Sequence, residues 1–232
     1  MDYKTLSNAD LAAHMDSIVE EIRCRADFAS EIEKVEGLLP DEISLICGEA
    51  YEMKNVKDTL VLNHYGVPTE FQVAHKDYIT RRTLVLVPKK ICFFSPFNVE
   101  YQNKYPDSTM DKYISTIFIG GFHPLIKKFI AESEIDCHVS GEIVKIKRKA
   151  WALSYEEMNF AEYRYAPKEG RPLDLFKENE NRKKNCDGVN RYYWLRTPYS
   201  NSTLYAWSVG TDGSANINGV SNSRGVVPAF EI

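Results

Sequence analysis

The end of the chain most constrains its fold. Two apolar anchors, Trp194-Leu195-Arg196-Thr197-Pro198 and Gly225-Val226-Val227-Pro228-Ala229-Phe230, enclose a stretch rich in Ser, Asn, Gly and Tyr from Tyr199 to Arg224. The anchors must bury their apolar side chains, and the segment between them has too little apolar surface to form a core of its own. Asp212-Gly213 and Asn218-Gly219 are strong short-hairpin signals, and they bracket residues 214–218 as a short strand. In Leu204-Tyr205-Ala206-Trp207-Ser208-Val209, Tyr205, Trp207 and Val209 share one strand face. The reading is a rigid scaffold that displays hairpins. Tyr, Ser and Asn suit a binding surface, because Tyr gives contact area at low entropy cost and Ser and Asn adapt their hydrogen bonds.

The chain has 232 residues, 44% hydrophobic and 27% charged, which is globular composition with room for one large or two small domains. Its net charge is -4, and no basic stripe with interleaved aromatics occurs, so nucleic acid is not an expected partner. The basic run Lys145-Ile146-Lys147-Arg148-Lys149 reads as an exposed strand edge, where Lys discourages edge pairing. Five cysteines, Cys24, Cys47, Cys92, Cys137 and Cys186, are odd in number, and no C-x-x-C spacing occurs, so zinc and dithiol redox chemistry have no support. Reduced, buried thiols are expected. Met1-Asp2-Tyr3-Lys4-Thr5 lacks an apolar leader core and no run is long enough to span a bilayer. The expectation is synthesis in the cytosol without a signal peptide, the protein either staying there or leaving by a route that needs no signal, such as host lysis.

Along the chain, Ser7 or Asn8 caps an N-terminal helix whose apolar positions Leu11, Met15, Ile18 and Ile22 fall at helical spacing, with Pro40 as its stop. Two uses of this helix stay open: packing on its own domain, or a short coiled coil that makes a homo-oligomer. Short β-branched and aromatic runs follow at 56–62, 71–74, 83–87 and 91–94, divided by turn residues. Helical spacing returns at Met110 to Ile117, started by Asp107 or Ser108, and again at 124–131. Residues 139–146 and 150–153 read as strands. Ser154 with Glu157 has capping-box spacing and predicts a helix. Residues 166–190 read as a long polar loop, and 226–232 as a closing strand in which Pro228 marks an edge or a bulge.

The segments Tyr193-Trp194-Leu195-Arg196-Thr197-Pro198, Val209-Gly210-Thr211-Asp212-Gly213, Val220-Ser221 and Gly225-Val226-Val227-Pro228-Ala229-Phe230 resemble a bacterial and phage domain family of unknown function. That family has a C-type-lectin-like fold and a W-L-R-S-P … G-V-R-P-A ending. Thr197 stands where Ser is usual, and Val227 where Arg is usual. Phe71-Gln72-Val73, the segment 108–135 and Trp151-Ala152-Leu153-Ser154-Tyr155-Glu156-Glu157 also fit, so the likeness spans roughly residues 56–232. The resemblance implies an α+β domain with short antiparallel strands, flanking helices and paired N- and C-terminal strands. The resulting division is an N-terminal helical segment over 1–50 and a lectin-like domain over 51–232.

Relatives of such domains include displayed receptor-binding proteins of phages, and formylglycine-generating oxidases. The first implies a non-catalytic display module, tail-associated in a phage or prophage, that contacts a host surface glycan or protein. The alternatives are a cytosolic structural or partner-binding protein, and an enzyme related to the oxidases. The oxidases need a reactive cysteine near the C-terminus, and no cysteine follows Cys186. The expected ligand-binding residues are Tyr199, Asn201, Tyr205, Asn216, Ser221 and Asn222, with Trp207 as core and Asn218 as a turn residue. No catalytic residue, cofactor or metal is expected: G-x-S-x-G and H-E-x-x-H are absent, and Asp212-Gly213-Ser214-Ala215-Asn216 lacks the closing bidentate acid of a calcium loop. Arg196 reads as a structural cation paired with Glu156 or Glu157.

Overall fold

The computed structural model describes residues 37–232; the N-terminal helix and its apolar stripe lie outside the described residues. Helices α1 (Pro40–Ile46) and α2 (Glu49–Met53) precede strands β1 (Thr59–His64), β2 (Val67–Lys76), β3 (Leu84–Pro88) and β4 (Phe93–Pro96). Helix α3 (Thr109–Tyr113) runs into a π-helical turn (Ile114–Phe118), and α4 (Pro124–Phe129) follows. Then come β5 (Ser133–Val139), β6 (Glu142–Arg148), β7 (Trp151–Ala152), β8 (Asn185–Cys186) and β9 (Val189–Asn190). The chain ends with β10 (Tyr193–Pro198), β11 (Tyr205–Val209), β12 (Ala215–Gly219), β13 (Ser223–Val226) and β14 (Pro228–Glu231). The class is α+β.

One sheet has the order β1-β2-β3-β14-β7, the other β12-β11-β10-β13-β4. The C-terminal strand therefore joins the early meander through β3, with Phe230 opposite Leu86 and Pro228 opposite Ala152. Pro228 is the first residue of a strand paired on both sides, not an edge or a bulge; the first position needs no ladder donor. Phe71, Phe118, Phe122 and Phe230 pack ring to ring at 5.1–6.4 Å and join the two ends of the domain in one core. Each such ring, fully buried, stabilises by about 1.5–3 kcal/mol. Gly225 makes the parallel contact of β13 with β10 opposite Tyr193, and a Cβ there would overlap the Ile91 side chain.

Several local readings need correction. Pro40 begins a helix instead of ending one, because in the first turn its missing N–H has no partner to lose. The Glu42 carboxylate of that helix takes the N–H groups of Leu39 at 2.8 Å and Asn63 at 2.9 Å, which seats α1 on β1. The strand expected at 139–146 is present from Glu142 on and runs to Arg148, but it begins with a hairpin turn: Val139 ends the preceding strand, and Ser140 and Gly141 have φ of 53° and 94°. Ser154 and Glu157 do form the capping box, Glu157 N–H to Ser154 Oγ at 3.0 Å and Ser154 N–H to Glu157 at 2.9 Å, but only a turn follows. Asn159 turns left-handed at φ 54° and closes it.

The 166–190 segment is no plain polar loop. Leu173, Leu175 and Phe176 are buried in it, and two 3-10 turns hold them in place. Asp212-Gly213 does shape the β11–β12 hairpin, with Gly213 at φ 82°. Asn218-Gly219 does not form a turn: Asn218 is a strand residue opposite Ala206, and the chain reverses at 219–222 instead. The reason is tertiary, since Arg224 donates to Asn218 Oδ1 at 2.8 and 3.1 Å, and Asn218 donates to Ser208 at 2.8 Å.

Candidate ligand-binding face

β10 carries the anchor motif and is buried along its whole length. Trp194 packs on Phe97 and donates its indole N–H to Ser95 O at 2.9 Å. Arg196, fully buried, forks onto the Glu157 carboxylate at 2.6 and 2.9 Å and also donates to the carbonyls of Asp136 and Ala152 at 2.9 Å each. The partner is Glu157, not Glu156. Glu157 also accepts the Tyr78 hydroxyl at 2.8 Å, and burial holds that phenol far above its ordinary range. Gly170 lies against Tyr78 and Glu157 at φ 80°, a conformation and a gap that suit only glycine. This polar cluster locks β10, the 154–158 turn, β5 and the β2–β3 connection to one another, so the loops leaving β10 start from a rigid base.

Those loops build a face. The segment 98–104 runs beside 199–205 and 219–222: Asn98 N–H donates to Val220 O at 3.1 Å, and Val220 N–H to Leu204 O at 3.0 Å. Asn103 Nδ2 donates to the carbonyls of Tyr199 at 3.2 Å, Ser202 at 2.9 Å and Tyr205 at 2.8 Å. One side chain thus holds the whole 199–205 loop. With the β5–β6 hairpin tip, residues 102–104 and 198–203 enclose a groove of about 450 Å³. Gln102, Asn103, Ser200, Asn201, Ser202 and Thr203 supply amides and hydroxyls to its lining, Tyr199 an aromatic ring, and Lys104 and His138 its ionisable groups. No carboxylate lines it.

An aromatic cluster backs the groove. Tyr199 packs on Trp207 at 5.8 Å and Tyr165 at 5.4 Å; Trp207 also meets Tyr155 at 4.6 Å and Tyr163 at 5.5 Å. Trp207 is buried, while Tyr163 is 46% exposed. Around the rim, Val99 at 60%, Tyr101 at 62%, Leu204 at 51% and Tyr205 at 42% leave apolar surface in solvent. Exposed apolar side chains also occur elsewhere, at Met53, Tyr65, Val67 and Val189 among others, so what sets these loops apart is the groove and the tyrosines beside it.

Of the residues expected from sequence, Tyr199 and Asn201 line the groove. Tyr205 stands at its rim beside the turn that carries the exposed Ser221 and Asn222. Asn216 is not brought to this face. It sits opposite Ser208 in β12, three residue pairs or about 10 Å from the pair of Tyr205 with Gly219, and its Oδ1 accepts its neighbour's N–H at 2.8 Å. Sequence reasoning missed Val99 to Lys104, the hairpin tip, Tyr163 and Tyr165. The 98–104 run Asn-Val-Glu-Tyr-Gln-Asn-Lys has the same display composition as the C-terminal stretch, and that was the available signal.

Elsewhere, the Asp212 carboxylate accepts from Ser214 N at 3.0 Å and Ser214 Oγ at 2.7 Å, and these bonds keep its pKa below the usual range. It serves the hairpin turn. Among the described residues no group of three or more His, Cys, Asp and Glu side chains is placed to hold a metal, and no helix is long and apolar enough to cross a membrane. Burial pushes the Cys92 and Cys137 thiols up to about 12. His75 and Asp174 pair at 2.9 Å, yet burial still lowers the His75 pKa.

Residues 81–232 match a protein family described as a domain of unknown function, DUF6273. No curated protein and no solved structure matches the chain.

Proposed function

The chain belongs to the DUF6273 family, so its role has to be read from its own surface, and we propose that it is a non-catalytic ligand-binding module whose ligand is a glycan. The observation that carries this reading is the groove itself: amide and hydroxyl side chains on a braced loop, with no carboxylate in the lining and tyrosines beside it. Amide and hydroxyl side chains can both donate to and accept from sugar hydroxyls, and a sugar's C–H face stacks on an aromatic ring, as Tyr199 and the exposed Tyr101 and Tyr163 would allow. The arrangement follows the usual division of labour between a rigid scaffold and adaptable loops.

The finer fold reading is C-type-lectin-like. It is supported by the entry of the C-terminal strand into the sheet built by the early strands, and by the anchor motif lying on a buried strand beneath the loops. In the setting that the resemblance implies, the protein is a phage or prophage tail component and the glycan lies on the host surface. The apolar rim of Val99, Tyr101, Leu204 and Tyr205 favours a second reading, a protein partner for the same face. A panel of neutral oligosaccharides built from hexoses and N-acetylhexosamines, screened with the full chain, tests the first reading. Retention on at least one of them, lost on Asn201→Ala with an unchanged melting curve, supports it. Binding to whole host cells that survives enzymatic removal of surface glycans would replace it with the second.

A further inference from the structure

Glu169 is fully buried and bonds both to His138, in one wall of the groove, and to Thr197, next to Pro198 in the other. Its Oε1 accepts the N–H of His138, at the hairpin wall, at 2.6 Å. Its Oε2 accepts the hydroxyl of Thr197, the residue that leads into Pro198 and Tyr199 of the loop wall. Both donors are neutral. The nearby cation is Arg196, but its terminal nitrogens already grip Glu157 at 2.6 and 2.9 Å and reach only the backbone carbonyl of Glu169, at 3.5 Å. One guanidinium therefore faces two carboxylates, all fully buried. Ionising both leaves an uncompensated negative charge away from water, so the second acid is held near the point where its two forms balance.

We propose that Glu169 is a positioning residue for the groove: its carboxylate clamps the 138–141 wall to the 198–203 wall in the ligand-taking geometry, and its neutral acid loosens that clamp. The inference rests on the groove being the binding site. Its chemistry is a matter of donors. The carboxylate accepts from both walls at once, in bonds strengthened by its charge. The neutral acid must donate from one oxygen. Donation from Oε2 aims at Thr197 Oγ1, which already accepts the Tyr155 N–H at 2.9 Å, and the Thr197 hydroxyl proton then loses its acceptor. The bond to His138 loses its charge assistance as well. The groups facing Glu169 are Arg196 and Thr197 from β10, Glu157 from the 154–158 turn, and His138 N–H and the Cys137 thiol from β5. Burial, outweighing the pull of Arg196, pushes the carboxyl up to about 7, so both forms are populated at neutral pH.

The test has two arms on the full chain. In the first, with no ligand and with His138→Gln in every chain compared so that no imidazole titrates at that wall, amide resonances of Cys137 and Tyr199 are followed by NMR from about pH 5 to about pH 9. The chain that keeps Glu169 should show one shared inflection near pH 7; Glu169→Gln, whose amide can still accept from the backbone N–H at 138 and reach Thr197, should remove it, and Glu169→Asp should keep an inflection. No inflection in the chain that keeps Glu169, or an inflection that survives in Glu169→Gln, overturns the proposal. In the second arm, the same neutral oligosaccharide panel is bound at both ends of the range. Wild type should bind several-fold more weakly at the acid end, and Glu169→Gln should bind at that weaker level throughout; pH-independent wild-type binding overturns the coupling of clamp to ligand. If no oligosaccharide binds, the glycan reading fails while the first arm still decides the clamp.

Discussion

Replacing Arg196 by Met isolates the buried ion pair at the base of the face. The substitution keeps most of the aliphatic volume and removes the guanidinium that makes hydrogen bonds of 2.6 and 2.9 Å to Glu157 and of 2.9 Å to each of the Asp136 and Ala152 carbonyls. Both partners of the pair are fully buried, so surface screening does not dilute the effect. Breaking such a pair from one side leaves an uncompensated charge and costs about 3–5 kcal/mol, a large share of the roughly 5–15 kcal/mol that holds a typical domain together. With the cation gone, Glu157 and Glu169 face each other without compensation, so the loss should grow as pH rises. Adding Glu157→Gln to Arg196→Met removes one of the two stranded acids and should recover part of the loss, a coupling of at least about 1 kcal/mol. Urea denaturation of wild type, both single variants and the double variant gives the cycle. An Arg196→Met variant within about 0.5 kcal/mol of wild type, or a cycle with no coupling, would refute the claim that this pair sets the base of the loops.

Other expectations follow from neighbouring sites. Lys184 is 2% exposed, and burial lowers its pKa from 10.5 to about 8. A lysine depressed in the folded state contributes fully only above about pH 10.5 and loses that contribution as pH falls through about 8, so wild type is weakened at neutral pH. The shift corresponds to about 3 kcal/mol, and Lys184→Met should raise the urea midpoint at pH about 7, with the gain fading above about pH 10; a lower midpoint at neutral pH contradicts this. Gly225→Ala should cost about 1–3 kcal/mol, because the new methyl must displace Ile91; an unchanged melting temperature would show that the β10–β13 contact is looser than described. Asn103→Ala removes the donor shared by the carbonyls of Tyr199, Ser202 and Tyr205, and should cost about 1–2 kcal/mol while speeding amide exchange across 199–205; protection equal to wild type would show that another group braces the loop.

The sequence was most legible where a residue's local role and its tertiary role coincide. The Trp194 and Phe230 anchors are core, and Asp212-Gly213 turns the chain because its left-handed glycine is needed whatever surrounds it. Ser108 caps α3 through its bond to Asp111 N at 3.2 Å, also a local matter. Legibility failed where a distant partner decides. Asn218 has the chemistry of a turn, but Ser208 and Arg224 hold it in a strand. Ser154 and Glu157 form their box, yet the Glu157 carboxylate also serves Arg196 and Tyr78, far along the chain, and the turn closes after one round. The groove was half legible. Tyr199, Asn201 and Tyr205 belong to the stretch that advertised itself, while the segment 98–104 and the hairpin tip reach the face only through sheet topology and the three bonds of Asn103.

The account stands or falls on whether the loop face binds. The most direct measurement compares the full chain with a variant carrying Tyr101→Ala, Asn201→Ala and Tyr205→Ala, on the oligosaccharide panel and in thermal melting. All three side chains are exposed, so the melting temperature should stay within a few degrees, each change costing about 0.5 kcal/mol or less. Binding should fall by at least about tenfold, since a few anchors carry most of the affinity in such surfaces. A triple variant that binds like the parent would contradict the assignment of this face.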